Sequence, residues 1–168
     1  MSTCVLNISA DLRCLRRSAA TTGDDERRYV MTEQSTLILK NDESELESAM
    51  SFISDFCVRN SIPPETEHDL KLALDEMITN VIQHAYPVSG EHRFTLQINL
   101  SDEEFVARIE DDGVEFNPTE HPIPDLDAPL EERKVGGLGI YLVRQIMTSV
   151  EYQRVAGKNV VTLRKKLT

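Results

Sequence analysis

Tryptophan is absent and aromatic residues make up only 5% of the chain, yet 40% of its 168 residues are hydrophobic. A chain of this length can bury most of the surface it exposes when unfolded, so one domain with one core is expected. Basic charge is also scarce, at 18 Lys and Arg against 29 Asp and Glu, a formal net charge of -11. That balance argues against direct nucleic-acid binding, which needs a cationic face. The cysteines number three (Cys4, Cys14 and Cys57) and have no paired metal-ligand spacing. They read as reduced thiols of a cytosolic protein, with Cys57 packed in the core. Long apolar runs are missing, so no membrane-spanning segment is expected. The early arginines Arg13, Arg16 and Arg17 precede no apolar stretch of the kind a secretory signal needs. There is no internal repeat.

What is present divides into an extension and a patterned region. Residues 1–32 mix small, polar and charged side chains without period and read as a loosely held extension. Met31, followed by Thr-Glu-Gln, marks where the functional domain is expected to begin. "STLILK" (Ser35–Lys40) suits a first strand. Asp42 and Glu45 have capping-box spacing ahead of Leu46, Ala49, Met50, Ile53 and Cys57, which recur at helical intervals. Pro63 and Pro64 open a second helix that runs to about Tyr86, with Pro87 and Gly90 stopping it. "RFTLQINL" and "EFVARIED" alternate as two strands around the turn "SDE", and "EYQRV" and "NVVTLRKKL" form a hairpin around "AGK". Between them lie a long loop, Asp112 to Val135, with four of the seven prolines, and a third helix through Ile140, Leu142, Val143 and Ile146. The order β-α-α-β-β-loop-α-β-β predicts an α/β (α+β) two-layer sandwich, a mostly antiparallel mixed sheet with about three helices on one face.

Three stretches carry polar residues that packing alone does not require. On the helix that carries "LALDEMITNVIQHAY" (Leu72–Tyr86), an apolar stripe runs through Leu70, Leu74, Met77, Ile78, Val81 and Ala85. Glu76 and Asn80 lie on its flank, about 40° apart around the helix. They could be solvated neighbours of a core face. They could instead border a cleft, where Asn80 offers a neutral oxygen to Mg²⁺ and Glu76 orients a nucleophile or takes its proton. "ARIEDDGVEFNP" ends a strand at Asp111, Asp112 and Gly113. This is either a plain turn or a carboxylate placed to accept a hydrogen bond from an adenine amino group, beside a glycine that lets backbone approach a flat base. "KVGGLGIYLV" sets Gly136, Gly137 and Gly139 before a helix, either as a hinge or as a backbone cradle for phosphates at a helix N-terminus. Lys134, or Arg133, sits just before the glycines, either as a solvated charge or as a cation that could reach a terminal phosphate. No Lys-Ser/Thr follows the last glycine, so this is not a Walker A loop.

Taken together and in this order, the three stretches resemble the Bergerat-fold ATP-binding family of gyrase, the ninety-kilodalton heat-shock chaperones, histidine kinases and MutL. Within that family the chain is similar to the small anti-sigma-factor serine/threonine protein kinases of bacteria, over roughly Ser35 to Lys166. The resemblance implies Glu76 as catalytic base and Asn80 as the Mg²⁺ ligand. It also implies Asp111 and Gly113 at the adenine, backbone of Gly137, Leu138 and Gly139 at the phosphates, and Thr162 supporting the adenine through water. Residues 117–135 would form an ATP lid, within an ATP-binding domain spanning 33–168. In the family's D-x-G-x-G box the second glycine is replaced here by Glu115, which bears on the geometry of the adenine site. The chain has no room for the further domain of gyrase or MutL, and His84 reads as a structural helix-end residue.

The activity implied is that of a cytoplasmic protein kinase. It would move the γ-phosphoryl group of Mg-ATP to a serine or threonine of an anti-sigma-factor antagonist, a STAS-type protein. Sigma-factor availability would then follow from partner switching, with the kinase as a homodimer. Two other readings stay open: a non-catalytic nucleotide-binding module that sequesters a partner, and a stand-alone histidine-kinase-type catalytic domain.

Overall fold

A computed structural model describes residues 33–101, 104–120, 122 and 137–167. The N-terminal extension, Arg133, Lys134, Gly136 and most of the expected lid lie outside the described residues. Strand β1 (Glu33–Lys40) leads to helices α1 (Glu45–Arg59) and α2 (Pro64–His84), then strands β2 (Arg93–Leu100) and β3 (Glu104–Asp111). Helix α3 (Leu138–Ile146) and strands β4 (Ser149–Val155) and β5 (Lys158–Lys166) complete the order, which is the one expected. The strands form one sheet in the order β1-β2-β3-β5-β4. Among the described residues every neighbouring pair is antiparallel, where a mixed sheet was expected.

Period-2 alternation assigns the faces. Leu37, Leu39, Phe94, Leu96, Ile98, Phe105, Ala107, Ile109, Val161 and Leu163 point to one side. There they join Ala49, Ile53, Phe56 and Cys57 of α1, the whole apolar stripe of α2, and Val143 of α3 in a single buried cluster. Phe56 meets Phe105 edge to face, with ring centroids 6.0 Å apart, fixing α1 over β3. The other face carries charge: Glu110 bonds both Arg108 and Lys158, and Arg164 bridges Glu104 and Glu151. The turn of the last hairpin has positive φ at both Ala156 (50°) and Gly157 (81°). Paired positive φ matches the right-handed twist of the strands it joins and fixes their register.

Two local details differ from the sequence reading. Asp42 does not cap α1 directly, because its Oδ1 accepts the Ser44 backbone N–H (2.8 Å) and hydroxyl (2.6 Å), one residue ahead of the helix. Helix α2 stops at His84 rather than Tyr86. Tyr86 turns out to stack flat on His92, centroids 4.2 Å apart. Leu72, which lies off the apolar stripe, is 42% exposed, in keeping with that stripe.

Candidate active site

The site is assembled on α2, where i, i+4 spacing stacks Glu76 and Asn80 on one flank. Both are half-buried. The Asn80 amide nitrogen donates to the Glu76 backbone oxygen at 2.7 Å and to its carboxylate Oε1 at 3.0 Å. These two acceptors settle which way the amide points and turn its oxygen away from Glu76. Asn80 lines a cavity together with Met77, Val81, His84 and Ala85 of the same helix. The opposite wall comes from Asp111, Val114, Glu115 and Phe116 at the end of β3, and from Asn159 and Val161 of β5.

Gly113 and Gly139 are required by space. A Cβ on Gly113 would lie 2.6 Å from the Cβ of Ala85, a separation real atoms do not tolerate. The missing side chain lets the loop close on the end of α2, where the Val114 N–H donates to the Ala85 carbonyl at 2.8 Å. A Cβ on Gly139 would overlap the Glu76 carboxylate. That glycine therefore brings the start of α3 against the Glu76 side chain. Gly137, at the N-cap of α3, has φ 88°, a left-handed conformation that suits glycine, and Leu138 begins the helix with its side chain exposed. The N-terminal N–H groups of α3 thus open beside Glu76.

Asp111 is 5% exposed. Burial raises its pKa; the Asn159 amide, the Gly113 N–H and the Arg154 guanidinium partly offset this, while Asp112 adds to it. Burial likewise pushes the Tyr86 hydroxyl up, helped by the charges of Asp111 and Asp112. The Asp111 Oδ1 accepts from the Gly113 N–H at 2.9 Å and from the Asn159 amide at 2.8 Å.

The structure brings Asn80 and Asp111 to one cavity and sets Gly113 behind it. Glu76 does not line that cavity; it sits one turn away, against Gly139 and bonded to Asn80. Thr162 needs correction. It pairs across the sheet with Arg108 and Glu151, on the charged outer face, while Asn159 and Val161 face the cavity. Alternation along β5 puts residues 159 and 161 on one side and 162 on the other. The residue overlooked was Asn159, directly opposite Asp111 in the β3–β5 register. Its signal is that register, which the tight turn at Ala156-Gly157 sets. Glu115 does line the cavity, at the place of the missing glycine.

The Asn80 amide oxygen, turned away from Glu76, is a neutral oxygen of the kind a hard cation such as Mg²⁺ accepts. Among the described residues no group of three or more His, Cys, Asp or Glu converges on a metal position. A cation held by the Asn80 oxygen would therefore take its remaining oxygens from phosphates and water.

A helix flank bearing an Asn–Glu pair, a carboxylate at a strand end and a glycine at the start of a third helix are thus gathered on one two-layer α/β frame. The chain belongs to the histidine kinase-like ATPase domain family, whose model matches residues 39–165. Among its relatives is the serine/threonine-protein kinase BtrW of Bordetella bronchiseptica, 28% identical over 115 residues, which cover 68% of this chain and 81% of BtrW. Another is the serine-protein kinase RsbW of Listeria monocytogenes, 27% identical over 113 residues, covering 65% of this chain and 72% of that protein. The fold matches a crystal structure of the RsbU and RsbW domains of a Mycobacterium tuberculosis protein, with a TM-score of 0.58 and 12% identity. That match takes in 80% of this chain but only 32% of the other. It also matches a chain in the SiaB–SiaC complex from Pseudomonas aeruginosa, with a TM-score of 0.51 and 16% identity over 77% of this chain and 89% of that one. Among the described residues no helix is long and apolar enough to cross a membrane.

Proposed function

We propose that this protein is a Mg-ATP-dependent serine/threonine protein kinase acting on a small anti-sigma-factor antagonist, and that it controls a sigma factor by exchanging partners. The observation that carries this reading is the contact of Glu76 with both Asn80 and the glycine at the start of α3. It sets the Glu76 carboxylate against both the Asn80 amide and the first turn of α3, where in this reading a terminal phosphate would lie. The cavity between Asn80 and Asp111 would take the adenine, with Asp111 accepting from its amino group. Bound through Asn80, Mg²⁺ would neutralise charge on the phosphates. Phosphoryl transfer asks chiefly for positioning and charge stabilisation. Glu76 would orient the incoming hydroxyl and take its proton as the new O–P bond forms and ADP leaves. The names of the relatives support the acceptor class, and the acidic composition suits a basic segment of a sigma factor. Lys134 would reach the terminal phosphate, and the protein would work as a cytoplasmic homodimer.

The test is transfer from labelled ATP to the cognate antagonist. Glu76→Gln should keep nucleotide affinity while slowing transfer by about 10²- to 10⁴-fold, the usual weight of a general base. Unchanged transfer removes Glu76 from that role. Tight nucleotide binding with no label on any partner favours the sequestering module instead, and acid-labile label favours histidine chemistry.

A further inference from the structure

Among the described residues three leucines stand exposed, Leu72 at 42%, Leu138 at 51% and Leu142 at 39%. All three lie around the Glu76 carboxylate. Leu72 is one turn before Glu76 on the same flank of α2. Gly139 abuts that carboxylate, and Lys165 ties the Ile146 carbonyl to Asp69. Helix α3 therefore runs antiparallel to α2, with residues 139 to 146 alongside residues 76 to 69. Midway, Leu142 comes level with Ala73, beside Leu72, while Leu138 sits one turn earlier, at the level of Glu76. The inner positions of this helix pair, Ala73, Met77, Ile140 and Val143, are buried, so the core takes none of the three leucines. On the open face of a helix polar residues are the usual occupants, and apolar side chains gathered there mark an interaction site.

The surroundings of Glu76 decide what covers them. Asn80 occupies the following turn, Gly139 stands beside the carboxylate, and Met77 is buried behind it. The cavity lies beyond Asn80, and Glu76 does not line it. The half-buried carboxylate is thus left with one approach, from solvent and between the leucines. A hydroxyl that gives its proton to Glu76 enters there, and the residues flanking that hydroxyl come to rest on Leu72, Leu138 and Leu142. We infer that these three leucines are the seat of the protein acceptor and set its specificity by taking an apolar side chain next to the acceptor serine or threonine. Leu72 and Glu76 are about 5–6 Å apart along α2, the span between residues three or four apart on a helix. The acceptor hydroxyl and its apolar neighbour therefore share one face of a helix. The inference rests on the kinase reading above and adds the surface that recognises the acceptor.

The experiment measures transfer from labelled Mg-ATP to the antagonist protein that the native full chain labels, over a range of antagonist concentrations. The double variant Leu72→Gln with Leu142→Gln is compared with the native chain. Its KM for the antagonist should rise roughly tenfold or more with kcat within about threefold, because binding common to ground and transition states is lost. Its affinity for Mg-ADP, read by calorimetry, should stay native. Replacing the apolar residue three or four positions from the labelled hydroxyl by serine should raise the native KM similarly and add little in the double variant. An unchanged KM in the double variant overturns the inference. So does a fall in Mg-ADP affinity, the mark of a lid seated on the leucines. A loss of self-association by light scattering with KM intact, the mark of a second copy, overturns it too. Should the double variant fail to fold, the single variants decide by the same readouts, since both side chains are already exposed. A native chain that binds Mg-ADP but labels no protein overturns the kinase reading and this inference with it, whereas labelling that is indifferent to the leucines overturns this inference alone.

Discussion

Asp111 shows how a single side chain can be held against its own preference. Its carboxyl is buried at the end of β3, and that burial raises its pKa despite two hydrogen bonds and a nearby guanidinium. An acid raised above its unfolded value adds stability that is complete below about pH 4 and fades as pH rises through the native value. Wherever Asp111 is ionised, its buried charge is therefore a net cost to folding. Asp111→Asn keeps an oxygen for the Gly113 and Asn159 donors while removing the buried charge. The variant should be more stable than the native chain at pH 7, by roughly 2–4 °C in Tm for each kcal/mol recovered in a chain this size. The gap should close as pH falls below the ordinary carboxylate range. Thermal denaturation at several pH values checks this, and a variant less stable than native at pH 7 would refute it. ADP affinity should fall in the same variant, because an amide N–H would meet the base's amino group. Function would then account for the charge, in keeping with strain and cost gathering at sites.

At the scale of elements, the relation of α3 to α2 matters most, and both ends of α3 are tied. Near its C-terminus, Lys165 donates to the Ile146 carbonyl and to Asp69 of α2, each at 2.8 Å. At its N-terminus the tie is the absence of a side chain at Gly139, which admits the Glu76 carboxylate. Gly139→Ala brings two opposing effects. Alanine favours the helix by about 1 kcal/mol over glycine, while its Cβ must push Glu76 or the start of α3 aside. Stability should therefore change little, within about 1 kcal/mol, while phosphoryl transfer drops at least about tenfold, since 1.4 kcal/mol of lost positioning suffices. Denaturant unfolding and transfer kinetics on the same preparation separate the two effects; full activity would mean that the carboxylate's closeness to α3 is incidental.

The same scale shows what could be read from the chain. The stripe of α2, the two hairpins and the element order were legible because each rests on a local period or a local turn. The phase of β5 was not. Whether Thr162 or Asn159 faces the cavity depends on which residue pairs with Asp111, a relation across 48 positions fixed by the tight turn and by the core preference of Val161 and Leu163. The end of α2 was misread for a related reason: the Ala85 carbonyl is taken by Val114, from a distant loop, and Tyr86 leaves the helix for His92. Glu76 and Asn80 could be placed on one flank from spacing alone. That Glu76 lies outside the cavity and against Gly139 needed the packing of two helices.

Taken whole, the molecule is one two-layer body whose described core begins late in the chain. Among the described residues the first buried side chains are Ser35 and Leu37 on β1, and the family match starts at residue 39. Among the described residues β1 is an edge strand, paired with β2 from Glu33–Leu100 to Lys40–Arg93. Both walls of the cavity and both partners of Glu76 come from residues 76 and beyond. A chain beginning at Met31 should therefore unfold cooperatively, with a Tm within roughly 2–4 °C of the full chain, or about 1 kcal/mol for this size. It should bind Mg-ADP with unchanged affinity. Calorimetry on the two lengths side by side measures both quantities. An unfolded short chain would mean that the first thirty residues supply part of the frame. A folded one with weakened nucleotide binding would mean that they reach the site, and either result would move the domain boundary toward the N-terminus.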